Sequence, residues 1–208
     1  MGRIASTTNP VALVLAAGLS RRMGTPKSEL PWGSTTLLGH TVRLVQNELQ
    51  WPTVLVQGPT ASEIPGVLTV RNPHPERGLA ESLKIGVANV MAMAGKTCAI
   101  GVFLVDQPFV TAPDARTVWM ALKAHEDYVA VRPRYNAEWG HPVLLWADRI
   151  GTGLEQLQGD QGLGAWLRTQ RDVLELDIRV NDRPNPAWDL DRPEDYSAAR
   201  VACARREQ

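Results

Sequence analysis

Apolar residues along the chain fall into short runs separated by polar, glycine or proline breaks, and two kinds of spacing alternate within them. Val11, Leu13, Val14 and Leu15 make a continuous apolar run that breaks at Ala16, Ala17 and Gly18, the pattern of a strand buried on both faces. Residues 36–49 place Leu37, Leu38, Val42, Leu44 and Val45 at near-helical spacing and predict a helix. Strands are predicted at 53–57 and 67–70, and the two prolines at 73 and 75 exclude regular structure after the second. A helix over 79–93 leads into 99–105, the most apolar segment, which emerges on Asp106, Gln107 and Pro108. Thr111, Pro113 and Asp114 carry the chemistry of a helix start: a capping hydroxyl, a first-turn proline and a carboxylate facing the helix dipole. That helix ends near His125. Strands at 128–132 and 142–146, with polar residues 133–141 between them, a helix at 162–169, a strand at 173–178 and a final helix at 193–206 complete the chain.

Strands alternating with helices predict a three-layer α/β fold with a largely parallel sheet. Ligands in such folds sit beyond the carboxyl ends of the strands. The loop after Leu15 and the turn at Asp106 both leave carboxyl ends, so basic groups from one can meet a carboxylate from the other.

Composition narrows the partners. The 208 residues suit a single domain, read as 10–206 after a tail of 1–9, and a chain of this size buries about 70% of its unfolded surface without disulfide or metal. With 22 basic and 22 acidic residues there is no general field for nucleic acid or an anionic membrane, so any anion site is local. Cys98 and Cys203 have no cysteine neighbours and suit a reducing compartment. Neither a secretion-signal core nor a run of the ~18 apolar residues needed to cross a bilayer is present, so a cytoplasmic location is expected.

The loop after Leu15 is composed for an anion. Gly18 and Gly24 let the backbone approach a ligand, while Ser20, Arg21, Arg22 and Lys27 supply donors and three positive charges. It is neither a P-loop nor a dinucleotide fingerprint. Residues 15–27, LAAGLSRRMGTPK, resemble the signature L-A-A/G-G-x-S-x-R-M-G-x-x-K of the MobA-like and MocA-like nucleotide transferase family. The resemblance implies a Rossmann-like nucleotide-diphospho-sugar transferase fold with a mostly parallel mixed sheet, and a nucleotide site built from Leu15, Ala16, Ala17, Gly18, Ser20, Arg21, Arg22, Gly24 and Lys27.

Further segments are similar to the family's in the same order. LVDQP, residues 104–108, resembles the element that holds Mg²⁺, and a carboxylate at Asp106 suits an ion that takes one or two carboxylates plus phosphate oxygens. Asp189 and Asp191 in WDLDRPEDY resemble the segment that supplies a second metal ligand, although Asp191 with Glu194 also reads as a capping box, and Arg192 stands where the family usually has Thr. Gly78, Ser82 and Gly86 match an element lining the base and ribose end, which implies a nucleotide contact for Ser82. Gly140, His141 and Pro142, with Asp160 in GDQGLGAWL, resemble elements of the cofactor-type members and imply acceptor contacts.

The resemblance implies transfer of a nucleoside monophosphate from a nucleoside triphosphate to a phosphorylated acceptor, with Arg22, Lys27 and Asp106 as the catalytic groups and Mg²⁺ as cofactor. Ala17, and the single glycine after Met23, lean towards the cytidylyl-transferring members, with CTP as donor and a molybdopterin-type cofactor as acceptor. A molybdenum hydroxylase, or the chaperone that matures it, is then the expected recipient. A guanylyl-transferring or other nucleotidyltransferase and a non-catalytic nucleotide or cofactor carrier stand as alternatives. A glycosyltransferase fits less well, because its D-x-D form comes here only at Asp189 and Asp191, just before the last helix.

Overall fold

The computed structural model describes residues 9–20, 22–61 and 63–204. All but one residue of the expected tail, and the last two residues of the expected final helix, lie outside them.

Strand β1 (Val11–Ala16) is central and fully apolar on both faces. A small hairpin, β2 (Pro31–Trp32) and β3 (Thr35–Thr36), leads to helix α1 (Leu37–Arg43), whose start is capped by the Thr36 hydroxyl accepting from Gly39 N–H. The helix expected over 36–49 does not stay regular: from Leu44 to Glu48 it widens into a π-helical turn, closed by Leu49 N–H donating to the Leu44 carbonyl at 3.0 Å. Leu44, Val45 and Leu49 are all buried in the same apolar cluster across this turn.

Strands β4 (Thr53–Gln57) and β5 (Leu68–Arg71), helix α2 (Leu79–Ala94) and strand β6 (Ala99–Leu104) follow close to the predicted positions. Helix α3 (Ala112–Ala124) opens on the capping box formed by Thr111 and Asp114. The polar stretch after residue 132 is not a loop. It holds the end of β7 (Ala130–Tyr135) and β8 (Glu138–Trp139), joined through Asn136 and Ala137, both at positive φ. Pro133 reads as a break in sequence, yet its carbonyl accepts from Gly140 N–H at 3.1 Å and Tyr135 two residues on is fully buried. Strand β9 (Val143–Trp146), the short helix α4 (Leu163–Leu167), strand β10 (Val173–Ile178) and helix α5 (Pro193–Ala204) complete the elements.

The sheet runs β10-β7-β9-β6-β1-β4-β5, with β8 paired to β7. Pairing is parallel except where β9 meets β6 and β7 and where β8 meets β7, so β1 and β6 lie side by side with carboxyl ends on one edge. Alternate residues of the central strands point to opposite layers. Val14, Leu55 and Phe103 meet α1, α3 and α5, whereas Leu13, Val56 and Val102 meet α2 and α4. This is the three-layer α/β architecture expected from the sequence.

Helix α2 lies close on β1 because Gly86 has no side chain: a Cβ there would stand 2.5 Å from Leu13 Cδ1 and 3.1 Å from Val56 Cγ2. Gly86→Val is therefore expected to lower unfolding free energy by about 1–3 kcal/mol through overpacking, more than any gain in helix propensity returns. Urea denaturation measures it, and an unchanged midpoint would contradict this packing.

Candidate active site

The loop that leaves β1 is folded around Ser20, a non-glycine residue at φ 48°. Its carbonyl accepts from Met23 N–H at 2.9 Å and its hydroxyl accepts from Lys27 N–H at 2.8 Å. Gly24 supplies a second left-handed turn at φ 69°, and at Gly18 nothing lies within 4 Å of where a Cβ would stand. The loop thus curls back so that Lys27, at the start of the 3₁₀ turn Lys27–Glu29, returns its ammonium to the carboxyl edge of β1.

That ammonium joins three distant segments. Lys27 Nζ donates to Asp106 Oδ2 at 2.7 Å and to Asp191 Oδ1 at 2.7 Å. Asp106 stands two residues beyond the end of β6. Asp191 arrives because Leu190 is fully buried and its N–H donates to the Asp106 carbonyl at 2.9 Å, which sets Asp191 at Lys27 and Asp189 at Gln107. The start of α5 takes its cap from Asp195 instead, whose Oδ2 accepts from Asp191 N–H and Arg192 N–H. The capping box read from Asp191 and Glu194 is therefore shifted by one residue, leaving the Asp191 side chain for Lys27. Partial burial pulls the Lys27 pKa down, but the charge and hydrogen bonds of Asp106 and Asp191 outweigh it and hold it above its ordinary value. The hydrogen bond from Lys27 holds Asp191 below the usual carboxylate range, helped by Arg22 Nη1, 3.9 Å from Asp191 Oδ2.

A cleft of about 480 Å³ opens over this ion cluster. It gathers Leu15, Ala16, Ala17, Gly18, Ser20, Arg22, Lys27, Ser82, Asp106, Asp160 and Asp191 from the sequence-predicted site residues. Gly24, Asp189, Gly140, His141 and Pro142 are not among its lining residues. Arg21 lies outside the described residues. Leu19, Ser28, Pro75, Glu76, Leu79, Leu104 and Val105 line the cleft without having been singled out as contacts. The backbone neighbours of the loop and of Asp106 follow from those motifs, whereas Glu76 carried no signal.

Gly78 fixes the far wall. At φ 88° it begins α2, and a Cβ there would lie 2.3 Å from the Gly159 carbonyl carbon and 2.8 Å from Asp160 N. Ala80 N–H donates to the Gly159 carbonyl at 3.0 Å, so the glycine-rich segments at 78 and 159 lock together and carry Asp160 to the cleft. Ser82 is buried, with its hydroxyl accepting from Asn72 Nδ2 at 3.0 Å.

Gln107 links the cleft to His141. Its Nε2 donates to Asp189 Oδ1 at 2.8 Å, and its Oε1 accepts from His141 N–H at 2.9 Å and faces His141 Nδ1 at 3.3 Å. With the amide assigned this way, Nδ1 carries the imidazole proton and Nε2 is an acceptor. Sequence reading passed over Gln107 as part of the metal motif, and its role depends on a contact 34 residues away. Desolvation pushes Asp189 up to about 6, the Gln107 hydrogen bond opposing and the Asp106 and Asp191 charges adding.

The MobA-like NTP transferase domain family matches residues 12–173, most of the chain. The chain belongs to this family. It is 31% identical over 144 residues to the molybdenum cofactor cytidylyltransferase of Escherichia coli (strain K12), an alignment covering 64% of this chain and 68% of that one. Rv0371c from Mycobacterium tuberculosis H37Rv shares 29% identity at a TM-score of 0.74, over 93% of this chain and 99% of that one. A crystal structure of Rv0371C in complex with manganese has the same fold at 23% identity and a TM-score of 0.70, covering 93% of this chain and 100% of the other. The fold and the family together make this protein a nucleotidyltransferase of the MobA-like type.

Desolvation, with the Arg132 charge adding to it, pushes the His141 imidazole down to about 4 from an ordinary value of 6.5. The unfolded chain therefore takes up a proton that the folded protein refuses. The stability contributed by neutral His141 is complete above 6.5 and is lost as pH falls from there towards 4. An NMR titration of the His141 ring should give a midpoint near 4. A midpoint at the unperturbed value would contradict the placement of this ring.

Proposed function

We propose that this nucleotidyltransferase moves CMP from CTP to the terminal phosphate of a molybdopterin-type cofactor, releasing pyrophosphate. One observation carries the reading: the phosphate-type loop and two carboxylates, one beyond the end of β6 and one just before α5, converge on the Lys27 ammonium. The cytidylyl assignment leans on Ala17, on the single glycine after Met23 and on the similarity to the E. coli cytidylyltransferase.

The nucleoside triphosphate would lie along residues 15–20, where Gly18 leaves the backbone open to approach. Arg22 and Lys27 hold the phosphate charge that grows on the leaving pyrophosphate. An oxygen of the acceptor phosphate forms the new bond to the α-phosphorus, while the bond from that phosphorus to the bridging oxygen breaks and its electron pair leaves with pyrophosphate. No covalent enzyme intermediate is needed. Ser82 and the Gly78 turn border the nucleoside end, and Asp160 borders the acceptor side.

Asp106 and Asp191 fit a divalent cation, because their oxygens already converge on one cationic atom and are the hard donors Mg²⁺ takes. Among the described residues no group of three or more His, Cys, Asp or Glu side chains could hold a metal, so phosphate oxygens and water would complete the shell. Asp189, held by Gln107, positions that turn and is the less direct ligand. When bound, the ion neutralises phosphate charge beyond what Lys27 and Arg22 supply.

Pyrophosphate release with Mg²⁺ and each of CTP, GTP, ATP and UTP, with and without the molybdopterin-type cofactor, tests the proposal. Release requiring both CTP and cofactor is expected, with chelation by EDTA abolishing it. Release with GTP instead moves the protein to the guanylyl branch, and nucleotide binding without release makes it a carrier. Lys27→Ala should lower kcat by about 10²-fold or more, by analogy with other preorganised charge-stabilising donors. Near-normal turnover in that variant would remove Lys27 from the chemistry.

A further inference from the structure

Beyond Asp160 lies a second, more open cavity of about 550 Å³, lined by Asp160, Gln161, Gly162, Gly164, Ala165 and Arg168. Asp160 lines both cavities, so the two adjoin at that residue. Arg168 lines the second one, and Arg132 reaches the Gly164 that also lines it. A Cβ built on Gly164 would stand 3.5 Å from Arg132 Nη2 and 3.8 Å from Arg168 Nη1, so both cations border one small space that the absent side chain leaves open.

Among the described residues neither Arg132 nor Arg168 has a carboxylate within the 4.0 Å of an ion pair. Glu175 stands opposite Arg132 in the strand register but makes no such pair. The neighbouring Arg134 is different: it holds Asp177 through two bonds, Nε to Oδ1 at 2.6 Å and Nη2 to Oδ2 at 2.8 Å. Arg132 is instead fixed by stacking, with its Cζ 4.3 Å from the Trp139 ring centroid. Burial, and then the Arg168 charge, hold its pKa below the ordinary guanidinium value. Two like charges held together, with the Glu175 carboxylate opposing them only from beyond ion-pair distance, disfavour the free protein and favour whatever anion enters between them.

We propose that Arg132 and Arg168 form a subsite for an anionic group of the acceptor, on the side of Asp160 away from the nucleotide. The inference rests on reading the main cleft as a site where a nucleotide meets a phosphorylated acceptor. It adds a second anchor, remote from the attacking phosphate, and so requires an acceptor that carries negative charge at both ends.

Crystals soaked in tungstate, a tetrahedral dianion visible by its anomalous scattering, test the site directly. Tungsten is expected at the Arg132 and Arg168 pair and at the loop of residues 15–27. Arg168→Gln, a change at an exposed residue, should lose the first position and keep the second. Equilibrium binding of the molybdopterin-type cofactor to the full chain should weaken about tenfold or more in Arg168→Gln and in Arg132→Gln. Arg168→Lys should recover part of that loss, and CTP affinity should hold in all three variants. Thermal stability of Arg168→Gln without ligand should match or exceed wild type, because a repulsion is relieved; a merely structural arginine would lower it. Tungsten absent from the pair, or acceptor affinity unchanged in Arg168→Gln, overturns the subsite. Wild-type protein that binds CTP but neither binds the cofactor nor releases pyrophosphate overturns the acceptor reading, and the subsite falls with it.

Discussion

One half-buried ammonium holds the working edge of this protein together. Lys27 receives two carboxylates, and they come from positions 79 and 164 residues away in sequence. Neither carboxylate would be placed comfortably without it: Asp106 and Asp191 share this one close counter-charge, Arg22 reaching Asp191 only at 3.9 Å, and removing it leaves two like groups side by side. Ion pairs taken out of water are weak evidence for stability, because desolvation offsets the Coulomb gain. The cluster makes better sense as an exchange site. In the proposed reaction an incoming triphosphate gives Lys27 a new anionic partner, and the carboxylates it releases are hard oxygen donors for a divalent cation, so every charge stays paired.

The sheet exists to bring these groups to one place. Parallel pairing of β1 with β6 puts the loop and Asp106 on adjacent carboxyl ends. The third segment is brought in by a buried leucine and one backbone hydrogen bond, from Leu190 N–H to the Asp106 carbonyl. Gly78 does the same work on the opposite wall, where only a residue without Cβ lets the start of α2 meet Gly159. Positioning throughout the site comes from close backbone contact and needs few long side chains.

The parts legible in the sequence are those written in local chemistry. The apolar run of β1 breaking at Gly18, the very apolar β6 ending on Asp106 and the cap of α3 at Thr111 each depend on neighbours a few residues away, and each stands where the pattern put it. What the sequence did not show depends on partners far along the chain. The π turn after α1 follows from packing of Leu49 and Trp51 into a core that no local window contains. The hairpin at β8 was hidden by Pro133 and by a turn of Asn136 and Ala137 without glycine. Asp191 looked like a helix cap because Glu194 has the right spacing, and only the tertiary approach of Lys27 reveals the shifted cap at Asp195. Gln107 could not be ranked above its motif neighbours until Asp189 and His141 were seen on its two amide atoms.

A chain of zero formal charge handles anions by unequal local pairing. Arg183 is spent on Asp114 at the buried start of α3, and Arg134 on Asp177 along the sheet edge. Arg22 stays largely exposed at the mouth of the cleft, only loosely associated with Asp191. Arg132 and Arg168 meet at Gly164, beyond Asp160, and among the described residues neither has a carboxylate at ion-pair distance. Long-range steering by the whole protein is therefore weak, and selectivity for anionic ligands has to arise at contact distance, where desolvation and geometry count most. The same reasoning explains why His141 is kept neutral. Its imidazole is desolvated and feels the Arg132 charge as well, and the Gln107 amide oxygen beside Nδ1 leaves Nε2 as a hydrogen-bond acceptor.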